Sequence, residues 1–269
     1  FGSLTVPFAI ILVGGLMIWG VTKMISTDQG HRDLIREMKS KTFGNRWIAA
    51  YELSKLLSSS RIDESEIPWL VTNLKEIYSQ TSDPRTQEFI VTAIGSLRDP
   101  GTASFLASTL SPQNGNVTFQ ALVALGNMPK DTAIDWKKVL PFLEQEDHAL
   151  KQAAILALAT HRVDEAQAPI EAFLDTNEPA IRYAAATGLI AYKSERALNT
   201  LESVLLKTPE QAQREGFDLN KLSGLKLNIL NSLQREKWRV LDEILKKVST
   251  SDPNPKIRLG AQNLLNELK

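Results

Sequence analysis

The chain has no cysteine among its 269 residues. That removes disulfides, thiol nucleophiles and cysteine-ligated metals, and leaves the redox compartment open. It also lacks an excess of either charge, because 31 basic residues balance 31 acidic ones. A protein that grips nucleic acid presents a basic face, and the short pairs Lys137-Lys138 and Lys246-Lys247 read only as solvated helix surface. Histidine is scarce as well. His31, His148 and His161 stand far apart and form no cluster with metal-ligand spacing, and no nucleophile elbow, phosphate loop or dinucleotide fingerprint occurs. The sequence therefore offers no catalytic, cofactor-binding or metal-binding residue, and the protein is expected not to be an enzyme. Acidic clusters at Asp63-Glu64-Ser65-Glu66 and Glu144-Gln145-Glu146-Asp147 fall at turns before helices, where carboxylates favour the positive helix end.

What the chain has instead is repetition. An apolar residue followed by a polar or basic one, a small or aliphatic residue at +4 and a pair ending in Leu or Ile at +7/+8 returns seven times. The clearest copies are Leu150-Lys151 with Ala154 and Ala157-Leu158, Ile181-Arg182 with Ala185 and Gly188-Leu189, and Ile257-Arg258 with Leu264-Leu265. Fainter ones begin at Asn45-Arg46, Thr86-Gln87, Val117-Thr118 and Leu225-Lys226. The recurring unit is about thirty-two residues, twice lengthened by insertions, a period that predicts a stacked solenoid.

Each unit also has a first half. Ile67-Pro68-Trp69-Leu70, Leu140-Pro141-Phe142-Leu143 and Ala168-Pro169-Ile170 set a proline in an early helical turn, where its missing N–H does little harm. The stretches 102–110, 197–205 and 240–248 lack that proline but keep the apolar stripe of an amphipathic helix. Turn residues such as Ser82-Asp83-Pro84, Asp99-Pro100-Gly101 and Ser251-Asp252-Pro253 punctuate the periodic segments. The prediction is all-α: helix A, turn, helix B, about seven times over.

This organisation resembles the HEAT repeat family over about residues 31 to 269. The residues that carry the resemblance are Asp83, Asn114, Asp147, Asn177 and Asp252 before helix B, the basic Lys151, Arg182, Lys226 and Arg258, and the small Ala49, Ala50, Ala121, Ala124, Ala154, Ala157, Ala185 and Ala261. The units are similar to the compact bacterial type, also seen in phycobilin lyases. Gln87 and Thr118 replace the basic residue in two copies, so a family ladder of Asp and Arg contacts is expected to be interrupted there.

Ahead of the repeats, Leu4 to Ile25 is almost wholly apolar. Twenty-two helical residues rise about 33 Å, enough for a hydrocarbon core of about 30 Å. Residues 1–26 are therefore expected to form a single transmembrane anchor, and 27–269 the solenoid. Pro7 suits an early turn of that helix, Gly14 and Gly15 a close helix contact, and Trp19 and Lys23 the far interface. Lys23, Arg32, Arg36, Lys39 and Lys41 follow the span, so the positive-inside tendency puts the repeats in the cytoplasm, with the extracytoplasmic side as the close alternative.

The expected function is a non-enzymatic scaffold or accessory subunit, held to the membrane and gripping a protein partner within an integral-membrane complex, with no small-molecule substrate. The position two residues into each helix B carries Trp47, Glu88, Phe119, Gln152, Tyr183, Leu227 and Leu259. If it faces outward, Trp47, Phe119 and Tyr183 are interface anchors, with Tyr51 beside Trp47 at the docking end. The competing possibility is that these rings fill gaps between helices. The polar insertion at 208–220 is expected to be an exposed loop or extra helical turn. The alternative function is a chromophore-handling enzyme resembling the phycobilin lyases; a nucleic-acid-binding solenoid is disfavoured by the neutral charge.

Overall fold

A computed structural model describes residues 30–40, 46–59 and 62–267, and among them it contains helices and no strand. Seven repeats follow one another. The first pairs α1 (His31–Lys39) with α2 (Arg46–Ser59), the second α3 (Ile67–Gln80) with α4 (Pro84–Leu97), and the third α5 (Ala103–Ser108) with α6 (Gly115–Gly126). In the fourth, two 3-10 turns, Trp136–Lys138 and Leu140–Leu143, precede α7 (His148–Thr160). The fifth pairs α8 (Asp164–Ala172) with α9 (Pro179–Leu189). In the sixth, α10 (Leu198–Leu205) and a short α11 (Pro209–Arg214) lead to α12 (Leu219–Glu236), and the seventh is α13 (Asp242–Ser251) with α14 (Pro255–Glu267).

The expected helix A is thus missing from the fourth repeat, where the segment holding Pro141 closes two 3-10 turns instead. Pro141 has no amide to donate, and the amides after it reach back three residues rather than four, Phe142 to the Val139 carbonyl at 2.9 Å and Glu144 to that of Pro141 at 3.3 Å. Prolines in the first turn of α3, α4, α9 and α11 are tolerated there, whereas Pro169, expected in an early turn, lies inside α8. Side-chain caps fix several starts: Asp83 accepts from the Thr86 amide, Asp147 from Ala149 and Leu150, and Asp218 from Lys221.

The second helices stack side by side, α2 on α4, α4 on α6, α6 on α7 and α7 on α9, so α4, α6 and α7 are each covered by two such neighbours as well as by the first half of their own repeat. That burial explains why α9 is apolar nearly all round, with Ile181 and every residue from Tyr183 to Leu189 inside. Small residues set the spacing. A Cβ at Gly95 would stand 2.5 Å from that of Ala124, one at Gly126 3.1 Å from that of Ala157, and one at Gly188 2.9 Å from that of Ala159.

A second device recurs at the turn between the helices. The side chain of Arg182 donates to the Thr176 carbonyl at 2.7 Å, and Arg258 does the same to the Asp252 carbonyl at 2.7 Å. Arg46 reaches the Ser40 carbonyl at 3.3 Å. The ladder is not broken at Gln87, whose amide donates to the Thr81 carbonyl at 3.0 Å and accepts from Asn114 of the next repeat at 3.3 Å. An amide reaches the same carbonyl without a charge. Thr118 makes a shorter version, its hydroxyl donating to the Ser111 carbonyl at 2.7 Å.

Among the described residues no helix is long and apolar enough to cross a membrane. Even α12, the longest of them, carries Lys221, Lys226, Arg235 and Glu236. The expected anchor at 1–26, with Pro7, Gly14, Gly15, Trp19 and Lys23, lies outside the described residues. The expectation of a single-pass membrane protein with its repeats on the cytoplasmic side thus finds no spanning helix among the described residues.

The Gly95 contact yields a prediction whose sign depends on two opposed effects. Gly95→Ala gains up to about 1 kcal/mol of helix propensity, whereas forcing a methyl against Ala124 costs about 1–3 kcal/mol. Overpacking should win, lowering the urea midpoint; an unchanged or raised midpoint would mean that α4 and α6 do not pack this closely.

Candidate functional site

The regular stack ends at α9. Helix α12 makes far fewer contacts with α9 than α7 does, and a groove of about 680 Å³ opens among the three. Ligand pockets occupy about 300–1,000 Å³, so the space is of the size that holds an organic molecule. Its apolar surface comes from Leu156, Tyr183, Ala184, Phe217 and Leu225, and its polar surface from Asn127, Gln152, Thr160, Asn228 and Asn231. Along α12 the lining residues Lys221, Gly224, Asn228, Asn231 and Arg235 recur at helical spacing, as one face of a helix must. Lys221 and Arg235 leave the helix about 21 Å apart along that face at 1.5 Å of rise per residue.

The insertion builds one wall. The Thr208 hydroxyl accepts from the Gln211 amide while the Gln211 side chain accepts from the Thr208 amide, a capping box that starts α11 and turns the chain back toward α9. There the Tyr183 hydroxyl donates to Glu215, Lys207 donates to the same carboxylate at 2.9 Å, and the Phe217 ring lies 5.5 Å from that of Tyr183. Burial opposes both charges. The hydrogen bonds outweigh it, holding Glu215 below the ordinary carboxylate range and Lys207 above its ordinary value.

A buried carboxylate stands just past Arg235. The Glu236 side chain is 2% exposed and takes hydrogen bonds from Arg162 and, at 3.1 Å, from Arg235, with Lys130 at 3.6 Å. Burial alone would raise its pKa, but these bonds and charges pull it below the usual value. Three cations meet one anion, so this end of the groove is electropositive. His161 lies nearby against Trp136, ring centroids 4.7 Å apart. Burial pushes the pKa of its imidazole down, against the nearby main-chain groups of Leu125 and Gly126, which favour the charged form.

The sequence-predicted anchors are scattered along the solenoid. Tyr183 is 3% exposed, its hydroxyl bound to Glu215 and its ring lining the groove. Phe119 is 36% exposed, one repeat beyond the groove. Trp47 is half-buried under the Arg85 guanidinium, and Tyr51 is exposed with its ring edge-on to Phe89. Of the four, only Tyr183 lines the groove. The α12 residues Asn228, Asn231 and Arg235 were missed, because they matter only once the insertion has parted α12 from α9. The Thr208-to-Gln211 capping box is the signal that marked the insertion as helical.

The fold defines an α-solenoid of HEAT-like repeats. The family described as HEAT repeats matches residues 137–216. Among solved structures, the chain resembles one from the complex of CpcE and CpcF of phycocyanin lyase from Nostoc sp. PCC7120, with TM-score 0.59 and 17% identity over 89% of this chain and 94% of that one. Looser matches are an engineered protein (TM-score 0.44, 15% identity, 88% and 96% covered) and human deoxyhypusine hydroxylase in complex with glycerol (TM-score 0.36, 16% identity, 88% and 84% covered). No curated protein sequence matches the chain. The expectation of a membrane-anchored scaffold is corrected: among the described residues no helix is long and apolar enough to cross a membrane, and what the chain shares with the phycocyanin lyase complex is the fold.

Glu236 sets a pH prediction. A carboxylate whose pKa is lowered on folding contributes stability above its unfolded value, and that contribution is lost as pH falls through the folded value. Glu236→Gln should cost about 1–2 kcal/mol near pH 7, discounted because Arg162 and Arg235 are half exposed. Urea unfolding of both proteins should give a gap that is constant at neutral pH and narrows from about pH 4.5 downward. A gap that is the same at pH 3 and pH 7 would contradict the assignment.

Proposed function

We propose that the protein holds an elongated, partly apolar molecule bearing acidic groups in the groove among α7, α9 and α12, and that an open-chain tetrapyrrole chromophore is the class it takes. The observation that carries the reading is the groove's composition. Tyr183, Phe217 and Leu225 offer apolar surface for a conjugated system, the amides of Gln152, Asn228 and Asn231 can meet polar edges, and Lys221, or Arg235 through the N–H groups that Glu236 does not take, can meet a carboxylate. The likeness of fold to the phycocyanin lyase complex supports that choice of ligand class. The role is one of binding, positioning and shielding from solvent.

A protein partner belongs to the same reading, since the similar fold occurs in a two-protein complex. Phe119 and Val123 on α6 and Leu156 on α7 are exposed large apolar residues that continue from the groove toward the first repeats, and Ile48 and Tyr51 expose more on α2. Exposed apolar side chains grouped in this way mark interaction surfaces.

Gly224 supplies the test. It lines the groove, nothing lies within 4 Å of the Cβ it would carry, and it sits inside α12. Gly224→Leu should therefore fill the groove and raise helix propensity by about 1 kcal/mol. Titrating the full chain with biliverdin should produce a shifted, circularly dichroic visible band. The variant should bind at least tenfold more weakly with an undiminished melting temperature; equal binding by the two proteins, or no spectral change with either, would overturn the reading.

A further inference from the structure

A second cavity lies on the other side of α12, apart from the groove. It encloses about 190 Å³ between α11, the first turns of α12 and the turn that leads into α14. Its walls are apolar: Pro209, Leu219, Leu222, Pro253 and Ile257. A cavity of about 150 Å³ lined by such side chains takes a benzene-sized guest, so this one has room for a single leucine- or phenylalanine-sized group.

Its polar groups are unusual for so apolar a space. Lys226 and Asp252 both line it, with side chains 4% and 3% exposed, and the ammonium donates to Asp252 Oδ2 at 2.7 Å. Asp252 is otherwise engaged, its Oδ1 accepting from the Asn254 amide at 2.9 Å. The ammonium has three protons and, among the described residues, Asp252 is the one acceptor it meets. The Ser223 hydroxyl accepts from the Asn254 side chain at 3.1 Å and keeps its own proton to give. Donors therefore outnumber acceptors here, and a buried donor without a partner is unfavourable.

We infer that this cavity is a peptide-anchoring site, which takes one apolar side chain of a partner protein while the adjoining main-chain carbonyl accepts from Lys226. The occupant's chemistry follows from charge. Lys226 is already neutralised by Asp252, so a carboxylate would meet the Asp252 charge at close range, whereas a neutral carbonyl satisfies the spare donors without adding charge. Leu219, 58% exposed at the rim, stays uncovered until such a segment arrives.

The probe is N-acetyl-leucine N-methylamide, titrated into the full chain while the methyl signals of Leu222 and Ile257 are followed by NMR. Those signals should shift saturably, with an affinity in the millimolar range that suits a single anchor. Leu219→Asp, an exposed first-turn position where an acid suits the helix, should weaken binding at least tenfold while the spectrum elsewhere is unchanged. N-acetyl-leucine, which bears a free carboxylate, should bind at least threefold more weakly than the neutral probe. The inference fails if the two methyls do not shift saturably, if Leu219→Asp binds as well as the parent, or if the carboxylate binds as tightly as the amide. Each outcome is independent of whether the groove binds biliverdin.

Discussion

Close approach between successive second helices is the constraint on which this structure depends. At Gly95 against Ala124, Gly126 against Ala157 and Gly188 against Ala159, backbones come near enough that one methyl more would have to displace something. The bulky residues are thereby sent to the flanks, where Leu70, Leu74, Ile90, Ile94, Leu122 and Leu158 are fully buried. One apolar core runs through the repeats, and each repeat is stable because its neighbours cover it.

The groove is what happens when that spacing is relaxed once. Between α9 and α12 the chain inserts α11 and the residues after it, and the stack no longer closes. The opening is held by polar contacts instead. Lys207, Glu215 and Tyr183 satisfy one another at one end, and Glu236 gathers Arg162, Arg235 and Lys130 at the other. Such networks rigidify a site when every member is satisfied, which keeps the apolar floor between them open. Fold and site are thus linked: small residues make a rigid stack, and the insertion makes a fixed gap in it.

The repeats were legible because they rest on periodicity. Small residues at +4, apolar pairs at +7/+8 and turn residues between segments report local spacing, which is written in order along the chain. Where reading failed, a longer-range cause was at work. Pro141 looked like its counterparts at Pro68 and Pro169, yet here the segment forms 3-10 turns. Gln87 in place of a basic residue predicts a break in the ladder, but the bond needs only a donor of the right reach. The polar composition of 208–220 predicts an exposed segment, yet Glu215 and Phe217 turn inward because Tyr183 of the preceding repeat offers a hydroxyl and a ring. No pattern within one repeat reports that pairing. The groove was illegible for the same reason, since its walls come from three repeats.

The central claim is that the gap before α12 is the place where a ligand rests. Hydrogen exchange of the full chain with and without biliverdin addresses it most directly. The account predicts added protection in three places: the stretch 183–187 of α9, the turn at Phe217 and the 224–235 face of α12. It predicts no change in α3 and α4. Protection spread evenly along the repeats, or confined to α2 and α6, would contradict it.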